Sequence, residues 1–306
     1  MTQTANAAQS STAAPAAVGL LFDVDGPIAS PVSRSVAIPR ILDDLVLLAA
    51  SGVPIAFITG RSDAFIRDEL ITPLLAAGLS EALAVPGTRM FGVFEKGAAW
   101  APVTSAGLGE IVVDRSVALP TAVVDEIRGL VAADYSDTMF FDETKRAMIS
   151  VEQRTDVDRA TYHAAQKSFN AAAYAILIEH GLGVRFGAES SPDADGAVPF
   201  RIDPTIISTD IESVDLDKDH AAQRALAFFA ETGELPRVWR SVGDSRSDYL
   251  MADHLHAAGY DVAHVDVRPS DGILTRPYPI IVEGDLIHDA AGAQFLGSWV
   301  QKLGLG

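Results

Sequence analysis

Asp23 and Asp25 stand two residues apart in Asp23-Val24-Asp25-Gly26, directly after the apolar run Val18 to Phe22. On a strand, such a pair shares one face. At a buried strand's end both carboxylates project into the crevice where open α/β sheets bind ligands. A carboxylate attacks phosphorus effectively only when the phosphoryl charge is neutralised and a second acid handles the leaving-group proton. This pair offers both roles, although a solvated strand end before a glycine turn has the same residues. Thr59-Gly60-Arg61-Ser62 closes a second apolar run, where a hydroxyl and the free amides of a helix's first turn hold a phosphoryl oxygen. An ordinary helix cap reads the same way. Lys218 falls at the start of a predicted helix, where the dipole disfavours a cation and a place in a site explains it better. Gly243-Asp244 and Asp248 follow a third apolar run, and oxygen-only ligands in a compact group suit magnesium. An acidic helix start is the plainer reading of those two acids.

The elements that must position these residues are legible as hydrophobic periods. Val18 to Phe22, Val53 to Ile58, Met90 to Phe94, Arg237 to Val242 and Asp261 to Val267 read as buried strands. Helices are predicted over Ile38 to Ala50, Asp63 to Ala77, Lys218 to Glu231 and Asp248 to Ala258. Alternating strand and helix predicts an α/β fold, a doubly wound, Rossmann-like parallel-sheet core built from residues 18–101 and 211–306. Residues 102–210 differ in texture and predict a smaller α/β domain, an antiparallel sheet plus helices. There Met139 to Phe141 and Ala147 to Gln153 form a hairpin around Asp142 to Arg146, with helices over Pro120 to Ala133 and Val157 to Glu179. Val184 to Phe186 and Phe200 to Ile207 complete this small sheet, and Glu189 to Gly196 reads as an exposed loop.

The 306 residues carry 41 acidic and 23 basic side chains, a formal net charge of −18. That balance argues against nucleic acid and against an anionic membrane surface as partners. The absence of cysteine excludes disulfides, a thiolate zinc site and a cysteine nucleophile. Residues 1–17 carry no charged side chain and no long apolar run, and predict a disordered tail. With no continuous apolar stretch of about 18 residues, the expected location is the cytoplasm.

In order and in position after strands, Asp23-Val24-Asp25-Gly26, Thr59-Gly60, Lys218 and Gly243-Asp244 with Asp248 resemble the four motifs of the haloacid dehalogenase superfamily of phosphohydrolases. Only 36 residues separate Asp23 from Thr59, whereas 159 separate Thr59 from Lys218, so the smaller domain is a cap inserted in the second gap. This arrangement looks like the Cof-type phosphatases and their sugar-phosphatase relatives. Phe94 to Trp100 resembles that group's segment before the cap, with Lys96 where Asn is usual.

The resemblance implies that Asp23 is the nucleophile, forming an aspartyl-phosphate and ligating Mg2+. Asp25 is implied as general acid and then base, its backbone carbonyl also a metal ligand. Thr59, Gly60 and Lys218 would bind the phosphoryl group, while Asp244 and Asp248 would complete the metal set. Pro27 and Ser247 depart from the family's usual residues: Pro27 removes a backbone donor, and Ser247 weakens the expected support of Asp248. His254 and His256, two apart on a helix, do not share a face and are expected to be surface or satisfied polar residues.

The implied function is a magnesium-dependent phosphatase acting on a small phosphorylated metabolite, a sugar phosphate above others, as monomer or homodimer. The alternatives are a catalytically silent phosphometabolite-binding protein and a phosphotransferase or mutase. Lys145, Arg146, Arg154, Arg185 and Arg201 are candidate cap contacts for a second anionic group on the substrate. Carboxylates gathered at one site would repel a phosphate unless a cation neutralised them, so metal dependence is expected.

Overall fold

A computed structural model describes residues 16–306, so all but the last two residues of the expected tail lie outside the described residues. Strand β1 (Gly19–Phe22) leads to helix α1 (Pro39–Ala50), strand β2 (Ile55–Ile58) and a helical stretch over 63–83. That stretch alternates short α segments, α2 (Asp63–Ile66), α3 (Thr72–Leu74) and α4 (Ser80–Leu83), with π turns, and is longer and less regular than predicted. Strands β3 (Met90–Phe94), β4 (Ala99–Thr104), β5 (Gly107–Leu108) and β6 (Val112–Val113) follow. Next come helix α5 (Thr121–Leu130), strands β7 (Met139–Phe141) and β8 (Ile149–Gln153), and helix α6 (Arg159–Glu179). Strands β9 (Val184–Phe186), β10 (Glu189–Ser191), β11 (Phe200–Pro204) and β12 (Ser208–Ser213) precede α7 (Lys218–Thr232). The chain ends with β13 (Val238–Gly243), α8 (Tyr249–Ala257), β14 (Asp261–Asp266), β15 (Ile280–Ile281) and α9 (His288–Lys302).

The larger sheet has the order β15-β14-β13-β1-β2-β3-β4-β5, with β6 also paired to β4. It is parallel from β15 to β3 and antiparallel beyond. Central strands of such a sheet are covered on both faces, which is why their sequence is continuously apolar. Leu20, Phe22, Ile55 and Phe57 pack with Leu45 and Leu48 of α1 and Phe295 of α9. Leu21, Ala56 and Ile58 point the other way, to Ala225 and Phe229 of α7 and Met251 and Leu255 of α8. This is the predicted doubly wound core. Because β1 lies between β2 and β13, the chain leaves it in both directions and a crevice opens at their carboxyl ends.

The second sheet runs β10-β9-β11-β12-β8-β7. Its helix-covered face buries Ile149, Val151, Ile202 and Ile211 against Val123, Ile127, Tyr162 and Phe169. In β8 and β12 these alternate with Ser150, Glu152, Asp210 and Glu212, which the two-residue period turns to the opposite face. One pair, β9 with β11, is parallel, where an antiparallel sheet was expected. β10 occupies the outer edge of β9, so the chain returns along the inner edge in the same direction. The loop expected from Glu189 therefore begins as a strand. The strand expected over Phe200 to Ile207 stops at Pro204; the chain turns at Thr205, whose hydroxyl accepts the amides of Ile207 and Ser208, and β12, which was not predicted, follows. The expected division at residue 102 falls inside β4, with β5 and β6 continuing the larger sheet and β12 carrying the smaller one to Ser213.

Two consecutive residues in left-handed backbone join the sheets. Glu95 (φ 50°) is fully buried, and its carboxylate accepts the amides of Arg146, Ala147 and Met148 at 2.8–3.2 Å. Lys96 (φ 55°) sends its ammonium to Glu212 at 2.7 Å and Asp210 at 3.4 Å. Asn tolerates this backbone better than Lys, so the two ion pairs are what hold lysine there. Among the described residues no helix is long and apolar enough to cross a membrane.

Behind the crevice, His264 of β14 is fully buried and meets the Ser241 hydroxyl of β13 at 2.8 Å. Burial pushes its pKa down to about 4. An unfolded histidine protonates near pH 6.5 while this one stays neutral, so stability is complete above that pH and falls as acid is added. About 3 kcal/mol should be lost by pH 4 through this residue. Urea unfolding at pH 7 and pH 4.5 should show a smaller acid loss in His264→Gln than in the wild type.

Candidate active site

Asp23 follows β1 and is anchored by its amide to the Val242 carbonyl of β13 at 2.8 Å. The chain then reverses: the amides of Ile28 and Ala29 donate to the Val24 carbonyl, and that of Gly26 to Ala29. Gly26 adopts φ 96°, and a β-carbon there would lie 2.8 Å from Cγ of Asp244. Glycine is thus required both by backbone and by the approach of a second acid. The turn closes through the amides flanking Pro27, so the donor that proline lacks is not used.

Lys218 is the first residue of α7, whose N-cap Asp217 accepts the Lys218 amide at 2.8 Å. Its buried ammonium lies 2.6 Å from Asp23, 2.9 Å from Asp248 and 2.9 Å from the Ile58 carbonyl. Burial opposes that charge, but Asp23 and then Asp248 outweigh it and hold the lysine above its ordinary range. Asp248 is fully buried; its Oδ2 accepts the amides of Asp244 and Ser245 and the Ser245 hydroxyl at 2.7 Å. The expected weakness at Ser247 is therefore corrected, because Ser245 and the two amides support Asp248. Burial works to raise Asp248, yet Lys218 and these donors keep it below the carboxylate range. Asp23 goes the other way, raised well above its usual value by burial and then by Asp248, with Lys218 opposing. Asp244 is pushed up to about 6 by burial and by Asp248.

One ligand oxygen each from Asp23, Asp244 and Asp248 lies within 4.8 Å of the others. Burial first, and then the charge of Asp248, lifts the carboxyls of Asp23 and Asp244. The donor set is all oxygen and fits a hard divalent cation such as Mg2+.

Asp25 extends outward. Arg61, quoted in the motif but assigned no role, grips both its oxygens at 3.0 and 3.3 Å. The signal for it was only its place after Thr59-Gly60. Thr59 is buried and its hydroxyl accepts the Arg61 amide at 3.0 Å, while the helix cap proper is Ser62, accepting from Phe65. A cavity of about 180 Å³ opens beside Asp25, Gly60 and Arg61, walled by Lys145, Ser150, Glu152 and Asp210 from the second sheet's polar face. These acids were missed because their alternation with Ile149, Val151 and Ile211 reads simply as an amphipathic strand.

Of the five candidate cap cations, Lys145 reaches the site, donating to the Gly60 carbonyl at 2.6 Å. Arg146 pairs with Asp63, Arg154 with exposed Asp156, and Arg201 with Glu212. Arg185 lines a separate cavity with Arg201 and Asp217. His254 is half-buried and His256 exposed, away from the acid cluster.

No protein-family model and no curated protein matches the sequence. Solved structures do match. The C-terminal domain of C. albicans trehalose-6-phosphate phosphatase aligns with a TM-score of 0.59 at 13% identity, covering 93% of this chain and 92% of that one. A haloacid dehalogenase-like hydrolase from Bacteroides thetaiotaomicron gives 0.56 at 12% identity, over 92% and 98%. The chain has the haloacid dehalogenase-like fold. A trehalose-6-phosphate phosphatase related protein gives 0.55 at 13% identity, over 94% and 98%. In this fold the acid cluster lies at the carboxyl ends of the central parallel strands.

Removing the ammonium would leave two buried carboxylates facing each other. Lys218→Met should destabilise the metal-free protein by about 3 kcal/mol, read from urea midpoints. A second substitution, Asp23→Asn, should recover part of that loss.

Proposed function

We propose that the chain is a magnesium-dependent phosphatase of the haloacid dehalogenase superfamily that hydrolyses a small sugar phosphate. The observation that carries this reading is the Lys218 ammonium held between Asp23 and Asp248 beside Asp244, with Asp25 at the mouth of the cavity. The insertion of the second sheet between Thr59 and Lys218 supports the Cof-type arrangement.

In this reading Asp25, ion-paired with Arg61 at rest, first takes a proton from solvent; Asp23 Oδ attacks phosphorus in line, and Asp25 gives that proton to the departing alcohol oxygen as the phosphorus–oxygen bond breaks. Arg61 must release one Asp25 oxygen for that transfer. Asp25 then takes a proton from water, whose oxygen attacks the aspartyl-phosphate to regenerate Asp23 and release phosphate. Lys218, Thr59 and the Gly60 amide hold the phosphoryl oxygens, whose charge is the main thing a catalyst must stabilise. Bound between Asp23, Asp244 and Asp248, with the Asp25 carbonyl as a further ligand, Mg2+ would neutralise the transferring group.

The cavity supports a hydroxyl-rich leaving group: Ser150, Glu152, Ser208 and Asp210 line it, and carboxylates accept hydroxyl protons well. Among the described residues the Glu152 carboxylate makes no hydrogen bond, lying 3.9 Å from Arg61. With four of five candidate cations directed elsewhere, a second anionic group on the substrate has less support. The C. albicans structure, named for a sugar-phosphate phosphatase, agrees in kind.

Phosphate release from an aryl phosphate in millimolar Mg2+ should fall by about 1,000-fold or more in Asp23→Asn. Equal activity in wild type and variant rejects the assignment. A panel of phosphorylated sugars, polyols and nucleotides should rank the sugars and polyols first.

A further inference from the structure

Helix α9, which contains none of the four motifs, begins at the wall of the site. Its first residue, His288, holds φ at 52°, a left-handed conformation uncommon for a residue with a β-carbon. The His288 amide donates to the Val267 carbonyl at 2.8 Å, which pins this backbone just beyond the end of β14. One turn later, a β-carbon on Gly292 would overlap the Pro27 carbonyl in the loop after Asp23. The helix start is therefore wedged between the ends of two core strands.

Within that wedge the His288 Nδ1 is buried, has no hydrogen-bond partner among the described residues, and lies 3.8 Å from Oδ2 of Asp244. Asp244 packs against Gly26 on another side. The separation is about 1 Å beyond hydrogen-bond length, so a small turn of either side chain closes it. Strained backbone retained beside a carboxylate of the acid cluster, with an unpartnered ring nitrogen near it, indicates a role in that carboxylate's position.

We propose that His288 is a positioning residue for Asp244. With a proton on Nδ1 it engages one carboxylate oxygen and leaves the other to face Asp23 and Asp248. The proposal rests on the reading of those three acids as the metal-holding set. Outer partners of ligating carboxylates typically carry tenfold or more in metal affinity.

A histidine kept only to start α9 would behave differently, because glycine relieves the left-handed backbone. The test uses the full chain stripped of metal, with Mn2+ binding followed by electron paramagnetic resonance and unfolding followed separately without metal. His288→Gly should unfold no earlier than wild type yet bind Mn2+ about tenfold more weakly. His288→Asn, which tolerates the backbone and keeps a donor, should recover most of that affinity. Wild-type affinity in His288→Gly overturns the proposal. So does a loss of affinity matched by an equally early unfolding of the metal-free variant. Asp244→Asn separates the two levels: if it abolishes binding while His288→Gly does not, only the role of His288 falls. If Asp244→Asn and wild type bind Mn2+ alike, the metal-site reading falls with it.

Discussion

The Lys218 ammonium, enclosed by Asp23, Asp248 and the Ile58 carbonyl, joins the ends of three strands and the start of a helix. Taking such a charge out of water costs several kcal/mol unless oxygen atoms surround it. Here they do, and the consequence reaches beyond the lysine. One cation serves a group of three acids, so the cluster cannot be balanced from within. Asp248, which has Lys218 and the donors of Ser245, remains ionised. Burial, and after it the neighbouring charge of Asp248, raises the carboxyls of Asp23 and Asp244. The all-oxygen set these three acids offer fits a divalent cation.

The second sheet depends on the first through a different device. Its apolar face packs beneath α5 and α6, while its polar face closes the cavity over Asp25. The two-residue period of β8 and β12 serves both purposes at once. The left-handed pair Glu95 and Lys96 helps hold this face over the site, Glu95 meeting backbone amides and Lys96 meeting Glu212, alongside Lys145 on Gly60 and Arg146 on Asp63. Shape and charge in the cleft are thus set by the same few residues that join the sheets.

The core could be read from sequence because its causes are local. A strand covered on both faces must be apolar throughout, and Asp23, Thr59 and Asp244 each follow such a run. The second sheet was harder: a turn at Thr205 ends β11 early and hides the hairpin to β12, and the place of β10 makes β9 and β11 parallel. Lys145 and Arg146 are adjacent and equally basic, yet one turns to Gly60 and the other to Asp63. Nothing in their spacing distinguishes them, because the choice is made by the opposite sheet. The same holds for Arg61, whose partner Asp25 lies 36 residues away.

By itself, the amino-acid order determined which residue types end each core strand, the doubly wound core, and where the second sheet is inserted. Those follow from periodicity and from acids placed at strand ends, which are properties of short segments. Tertiary structure decided the rest. It set which acids share one ammonium, which cation enters the cleft, and that a histidine at the start of the last helix faces Asp244. These are matters of distance between segments far apart in the chain, and electrostatic energy depends on distance and burial rather than on order in sequence.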